Sequence, residues 1–257
     1  MILSRRVALN GAQLDEISPW IVIRSVDAGV SSEDVSATSR MGGAGQRMTS
    51  QHWTVKDVKV TWAIDIGKEY MAERRAIYDE VVAWAMQKGW LTVSYMEGKR
   101  MYVDKTVLPS FGDPWAWTNE FTFTFRAYNI PFWQDDTPAS VVNANVTSGY
   151  AMIGVPGHVE TVLDVSFKNI SGRSIPNISF SANGNTLTFT GVNLAANQTI
   201  EISHGTDGTL RAYRGSASVY GLMTGSDDLF VNPGNVVASV SATRAGRFTV
   251  QAYGRYV

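Results

Sequence analysis

Metal ligation and proton transfer near neutral pH are histidine chemistry, and the chain has three histidines: His52, His158 and His204. None stands at ligand spacing from another. With no cysteine in 257 residues, thiolate metal sites, disulfides and thiol nucleophiles are excluded. A surface or turn role is the plain reading of each histidine, since His52 closes a glycine-rich stretch, His158 follows Pro156-Gly157 and His204 ends a strand. Ser203, His204 and Asp207 have the residue types of a hydrolase trio. Neighbours in a strand point to opposite faces, however, so Ser203 and His204 do not converge, and Gly205 to Gly208 reads as a hairpin turn. Gly42-Gly43-Ala44-Gly45 lacks the Lys and Ser/Thr of a phosphate loop. The acid pairs Asp135-Asp136 and Asp227-Asp228 are adjacent, so they cannot face each other across a cleft as glycoside hydrolysis requires, and they read as solvated loop charges. Asn-x-Ser/Thr sequences at Asn145, Asn169, Asn177 and Asn197 follow from local composition and are discounted as glycosylation sites. No catalytic residue, metal ligand or cofactor is expected.

The elements that position these residues fall into two unlike parts. All eight tryptophans precede residue 134. Through residue 140 there are 15 basic and 17 acidic residues, and after it only 7 and 6, so charge thins where tryptophan ends. Two domains, 1–137 and 138–257, are expected, with the joint in Asp135-Asp136-Thr137-Pro138. A net charge of -1 supplies no global field to attract nucleic acid or an anionic membrane. No apolar run approaches the roughly 20 residues that span a bilayer, and the first residues lack a signal-peptide core, so a cytosolic start is expected.

Within the first part, Asn10-Gly11 between short apolar runs predicts a tight hairpin. Residues 31–52 form a long arm without apolar periodicity, either disordered or ordered against something else. Alternation places Val58, Val60, Trp62 and Ile64 on one strand face, and Phe121, Phe123 and Phe125 on another. Over residues 69–88 the period becomes helical, through Tyr70, Ile77, Val81, Trp84 and Ala85, with Asp65 as cap and Gly89 as C-cap glycine. The second part shows short strand-like runs at 161–167, 178–182, 186–190, 199–203, 211–213, 236–240 and 248–253. They are separated by Gly, Asn and Pro, the pattern of an antiparallel sandwich or barrel. The fold class is therefore mainly β, with one helix in the first domain.

Aromatic residues exceed what a small core needs in the first part, and Trp115 and Trp133 read equally as core or as subunit interface. An alternative function lies in the second part: a carbohydrate-binding or adhesion module, with Tyr213 and Tyr220 as its aromatic contacts.

The order of features resembles the siphophage distal tail protein family, a tail-tip or baseplate hub. The hairpin at Leu9-Asn10-Gly11, the glycine-containing arm, the helix ending Val82-Ala83-Trp84, the strand Arg100 to Asp104, and Phe121 to Phe125 running to Ile130-Pro131-Phe132-Trp133 are similar to its amino-terminal domain. Gly154-Val155-Pro156, Ile175-Pro176-Asn177-Ile178, Leu229 to Asn235 and the closing Phe248 to Tyr256 are similar to its galectin-like carboxy-terminal domain. The resemblance implies a split-barrel-like β domain with one helix, followed by a galectin-like antiparallel β-sandwich. It implies a non-enzymatic structural protein of the virion, forming a homohexameric ring between the tail tube protein and the tail-tip apparatus. No cofactor, membrane or specific nucleic-acid contact is implied, although DNA would pass through the ring. Arg40, Gln46, Arg47, Trp115 and Trp133 are the interface residues it suggests.

Overall fold

The structure, a computed structural model, describes residues 5–39, 46–67, 69–109 and 120–257. The chain divides into two compact units, Met1–Trp133 with Val257, and Gln134–Tyr256. The joint expected after residue 137 thus falls after Trp133.

The first unit contains β1 (Val7–Leu9), β2 (Ala12–Gln13), β3 (Ile21–Asp27), β4 (Glu33–Ser39), β5 (Gln46–Trp53), β6 (Lys56–Ile64), α1 (Met71–Ala85), β7 (Gly89–Val93), β8 (Lys99–Val103), β9 (Lys105–Val107) and β10 (Glu120–Ala127); β11 (Trp133–Asp135) spans the joint. One sheet runs β2-β1-β7-β8 and another β3-β6-β10-β9. Asn10 and Gly11 have φ of 53° and 83°, the left-handed pair that a two-residue hairpin needs. Val58, Val60, Trp62 and Ile64 of β6 face the core with Phe121, Phe123 and Phe125 of β10, all buried. Across that face lies α1, where Tyr78 stacks on Trp62 at 6.1 Å and Trp84 meets Phe125 edge-on at 5.9 Å.

Three expectations change here. The helix is shorter than 69–88 and starts from Tyr70 with no side-chain cap, so Asp65 does not cap it. Gly89 opens β7 instead of capping α1. Its φ is 151°, and a Cβ there would lie 1.7 Å from the Asn10 carboxamide oxygen, which accepts the Trp90 N–H at 3.0 Å. The buried helix residues are Arg74, Tyr78, Val81, Trp84 and Ala85, whereas Tyr70 is 48% exposed and Ile77 only half-buried.

The second unit contains β12 (Ala139–Val155), β13 (Thr161–Asn169), β14 (Ile175–Ala182), β15 (Asn185–Leu194), β16 (Thr199–His204), β17 (Leu210–Arg214), β18 (Ala217–Ser218), β19 (Met223–Gly225), β20 (Phe230–Val231), β21 (Gly234–Ala252) and β22 (Arg255–Tyr256). The strands expected at 236–240 and 248–253 are one 19-residue strand, β21, and the 17-residue β12 beside it has no counterpart in the sequence reading. Residues 238–242 of β21 pair with β14, and residues 246–252 pair with β13, so one strand serves both halves of an antiparallel sandwich. At the start of the stretch paired with β13, a Cβ on Gly246 would lie 2.1 Å from the Phe167 ring, so glycine lets that ring pack. Phe167, Phe180, Phe189 and Phe248 are fully buried between the halves.

Candidate functional site

Within the arm expected at 31–52, either disordered or ordered against something else, the described residues Glu33–Ser39 and Gln46–Trp53 form a β-ribbon. β4 and β5 pair from Glu33 with Trp53 to Ser39 with Gln46, and among the described residues they pair with no other strand. The root of this arm is fixed. Thr54 donates its N–H to the Ser32 carbonyl at 2.9 Å, the two hydroxyls lie 2.9 Å apart, and Trp53 packs edge-on against Phe132 at 5.1 Å. Beneath it Lys56 is buried; its ammonium donates to Ser31 Oγ at 3.4 Å, and that hydroxyl donates to the Pro131 carbonyl. Burial pushes the Lys56 ammonium down from 10.5 to about 8.

At the other end of the β3–β6 ladder is an open groove of about 580 Å³ between α1 and the segments flanking the ladder. Its apolar lining is Trp20, Ile66, Tyr70, Ala76 and Ile77, and Asp65, Glu73 and Glu80 stand around it, exposed. The Asp65 N–H donates to the Trp20 carbonyl at 2.7 Å, tying the two lips together. Trp20 is 47% exposed, an unusual setting for the largest apolar side chain.

The second unit holds a charged cluster that sequence reasoning missed. The His204 side chain is 8% exposed, with Nδ1 2.7 Å from Asp164 Oδ1 and Nε2 2.7 Å from Asp228 Oδ2. Burial lowers the imidazole pKa, but hydrogen bonds to Asp164 and Asp228 and their charges outweigh it and hold the ring at about 9. His204 is therefore a clamped imidazolium, not a surface or turn histidine, and Asp228 is a buried ion-pair partner, not a solvated loop charge. Asp228 Oδ1 also accepts the Leu229 N–H. Arg255 lies in the same field: burial lowers its guanidinium pKa, while Asp228, Glu160 and Asp164 raise it. Both imidazole nitrogens are committed, which leaves none as a general base.

Asp207 belongs to the turn, accepting the Thr209 N–H at 3.1 Å and pairing with Arg211 at 3.4 Å, so the trio Ser203, His204 and Asp207 does not form. Asp135 is also no free loop charge, since it accepts the Gly254 N–H at 3.1 Å and the Tyr256 hydroxyl at 3.3 Å. Asn169 is fully buried and donates to the Arg173 and Leu194 carbonyls, which gives it a structural task. Among the described residues no group of three His, Asp or Glu side chains could hold a metal ion, and no helix is long and apolar enough to cross a membrane.

Of the suggested interface residues, Arg40 and Trp115 lie outside the described residues, and Gln46 and Arg47 are on β5. Trp133 is 1% exposed within the chain. Tyr213 and Tyr220 are 36% and 51% exposed, but they sit on different elements, β17 and a short 3-10 turn. No signal short of the three-dimensional fold joins Asp164, His204 and Asp228. The groove had one trace, an aromatic residue before a strand with acids spaced along one helix.

No protein-family model and no curated protein matches the chain. Solved structures do. The Dit protein (gp 19.1) of phage SPP1, described as a paradigm of the hub adsorption apparatus in phages infecting Gram-positive bacteria, aligns with a TM-score of 0.69. The alignment has 12% identity and covers 97% of this chain and 98% of that one. A chain in the activated phage P2 baseplate with Ca aligns at a TM-score of 0.49 and 11% identity, over 98% and 99%. Over nearly its whole length, then, this chain has the fold of a phage distal tail hub protein.

Proposed function

We propose that the chain is a structural, non-enzymatic hub of a long non-contractile phage tail. It assembles into a homohexameric ring that joins the tail tube to the tail-tip adsorption apparatus of the virion. The observation that carries this reading is the whole-chain likeness to the SPP1 hub, which includes both units and not a common sandwich alone. The isolated β-ribbon supports it. A two-stranded ribbon is at best marginally stable by itself, so one retained on a compact unit is suited to ordering against a neighbour. Near-zero net charge also suits a channel that DNA must traverse without sticking. Light scattering and negative-stain microscopy of the purified protein test the reading. The expected result is a ring of six 28.1 kDa chains; a strict monomer at every concentration, with no ring, would overturn it.

A second reading, saccharide binding by the second unit, has one observation in its favour. A polar groove of about 260 Å³ is lined by Asp164, Ser166, Glu201, Ser203, Thr249 and Gln251. Tyr213 stands beside it, across from Glu201. Saturable signal on a glycan array, lost in Tyr213→Ala, is the expected outcome under this reading, and a silent array would remove it.

A further inference from the structure

One wall of the groove in the first unit is a single face of α1 and its N-terminal cap. Tyr70, Glu73, Ile77 and Glu80 recur there at three- and four-residue steps, so they share a side of the helix. Trp20 lines the same cavity from the segment before β3. Both aromatic side chains are about half exposed, and the cavity they line lies in the size range of ligand pockets, ~300–1,000 Å³. An exposed apolar patch with a polar rim marks a surface that another molecule covers.

The rim states the chemistry of that molecule. Asp65, Glu73 and Glu80 line the groove and are exposed, and the Glu69 carboxylate lies over Gly67, where a Cβ would collide with it. The nearby cations are engaged elsewhere. Arg74 is buried and donates to the Ile66 carbonyl at 2.9 Å, Arg75 pairs with Asp79 at 3.1 Å, and Arg24 pairs with Glu120 at 3.7 Å. Among the described residues no cation pairs with Asp65, Glu73 or Glu80; Lys68 lies outside those residues. Nucleic acid and anionic lipid have the wrong sign for such a rim. The chain's own arm is balanced, with Glu33 and Asp34 against Arg40 and Arg47, and so brings no surplus of cations.

We propose that this groove docks a cationic amphipathic helix of a different protein, with its apolar face on Trp20, Tyr70 and Ile77 and its basic residues against Glu73 and Glu80. Those two glutamates stand two turns apart on α1, about 10 Å at 1.5 Å per residue. Basic residues seven apart on the incoming helix match them, and apolar anchors at three- and four-residue steps lie between. The contact needs no second copy of this chain, so it goes beyond the hub reading and does not depend on it.

Fluorescence anisotropy on the full chain tests the proposal. The probe is a labelled helical peptide of leucine, alanine and glutamine, with a leucine face and lysines seven residues apart beside it. Saturable binding is expected, weakening as salt rises. Replacing its lysines by glutamate, or its leucines by alanine, should each weaken binding at least about tenfold. In the protein, Ala76→Trp fills the groove from an exposed position, and Glu73→Gln with Glu80→Gln removes the charge from two exposed ones, so neither change threatens the fold. Each should weaken binding at least about tenfold, and the glutamine pair should also flatten the salt dependence. No binding by the wild type, equal binding of the glutamate or alanine peptide, or binding indifferent to both protein variants overturns the proposal. If Ala76→Trp instead breaks up assemblies of the wild type, a second copy covers the groove and the proposal is wrong. The hub reading is tested separately, by the particle that the wild type forms without peptide.

Discussion

His204 is flanked by two carboxylates at 2.7 Å each, and its charge state sets part of the stability of the second unit. The imidazole is held at about 9 against 6.5 in the unfolded chain, so the folded protein binds the extra proton between those values. The stabilisation is fully present below about pH 6.5 and is lost as pH rises through about 9. The carboxylates of Asp164, Asp228 and Glu160 also act on the Arg255 guanidinium, so His204 shares its field with a second cation. Lys56, in the first unit, has the opposite linkage: its pKa is lowered to about 8, so it favours folding as pH rises from there towards 10.5. Denaturant titrations across pH should show stability of the second unit declining from pH 6.5 to 9, and His204→Gln should flatten that slope. His204→Ala should destabilise by ~3–5 kcal/mol, because it leaves two carboxylates facing each other without their cation. Replacing Asp164 and Asp228 by Asn in the same background should recover part of that loss; no recovery would mean that packing, not charge, is what His204 supplies.

Among the elements, those with one buried face were legible. Val58, Val60, Trp62 and Ile64, and Phe121, Phe123 and Phe125, alternate because one side of each strand meets the core and the other does not. The arm was not legible for the converse reason: among the described residues β4 and β5 pair only with each other, so no described strand imposes a two-residue period on them. β21 read as two strands because Gly246 lies between the runs at 236–240 and 248–253, whereas the strand continues through it. On α1, the helical period correctly found Val81, Trp84 and Ala85 but also swept in Tyr70 and Ile77, which line the groove. Apolar spacing cannot distinguish a core face from an unfilled one. Gly89 was picked out for the wrong reason, since its freedom serves the contact with Asn10 and not the helix end. Gly89→Ala should therefore destabilise by ~1–3 kcal/mol, through a positive φ and a clash with the Asn10 carboxamide. A Gly89→Ala, Asn10→Ala double variant should lose less than the two changes summed, which a double-mutant cycle by urea denaturation reads directly.

For the molecule as a whole, the uneven tryptophan count becomes an experimental tool. Every tryptophan lies at or before Trp133, the last residue of the first unit, so indole fluorescence reports that unit alone. Far-ultraviolet dichroism reports both. Each unit has its own buried aromatic core, built on Trp62, Phe123 and Phe125 in one and on Phe167, Phe180, Phe189 and Phe248 in the other. Separate cores permit separate unfolding. At a fixed, low protein concentration, where assembly adds little stability, the indole transition should follow Phe123→Ala, which removes a fully buried ring at ~3–5 kcal/mol. The same transition should ignore His204→Ala, whose effect should appear only in the dichroism. If both probes moved together in both variants, the two units would unfold as one cooperative body. The pH dependence of His204 would then also have to appear in the tryptophan signal of a unit that contains none of its partners.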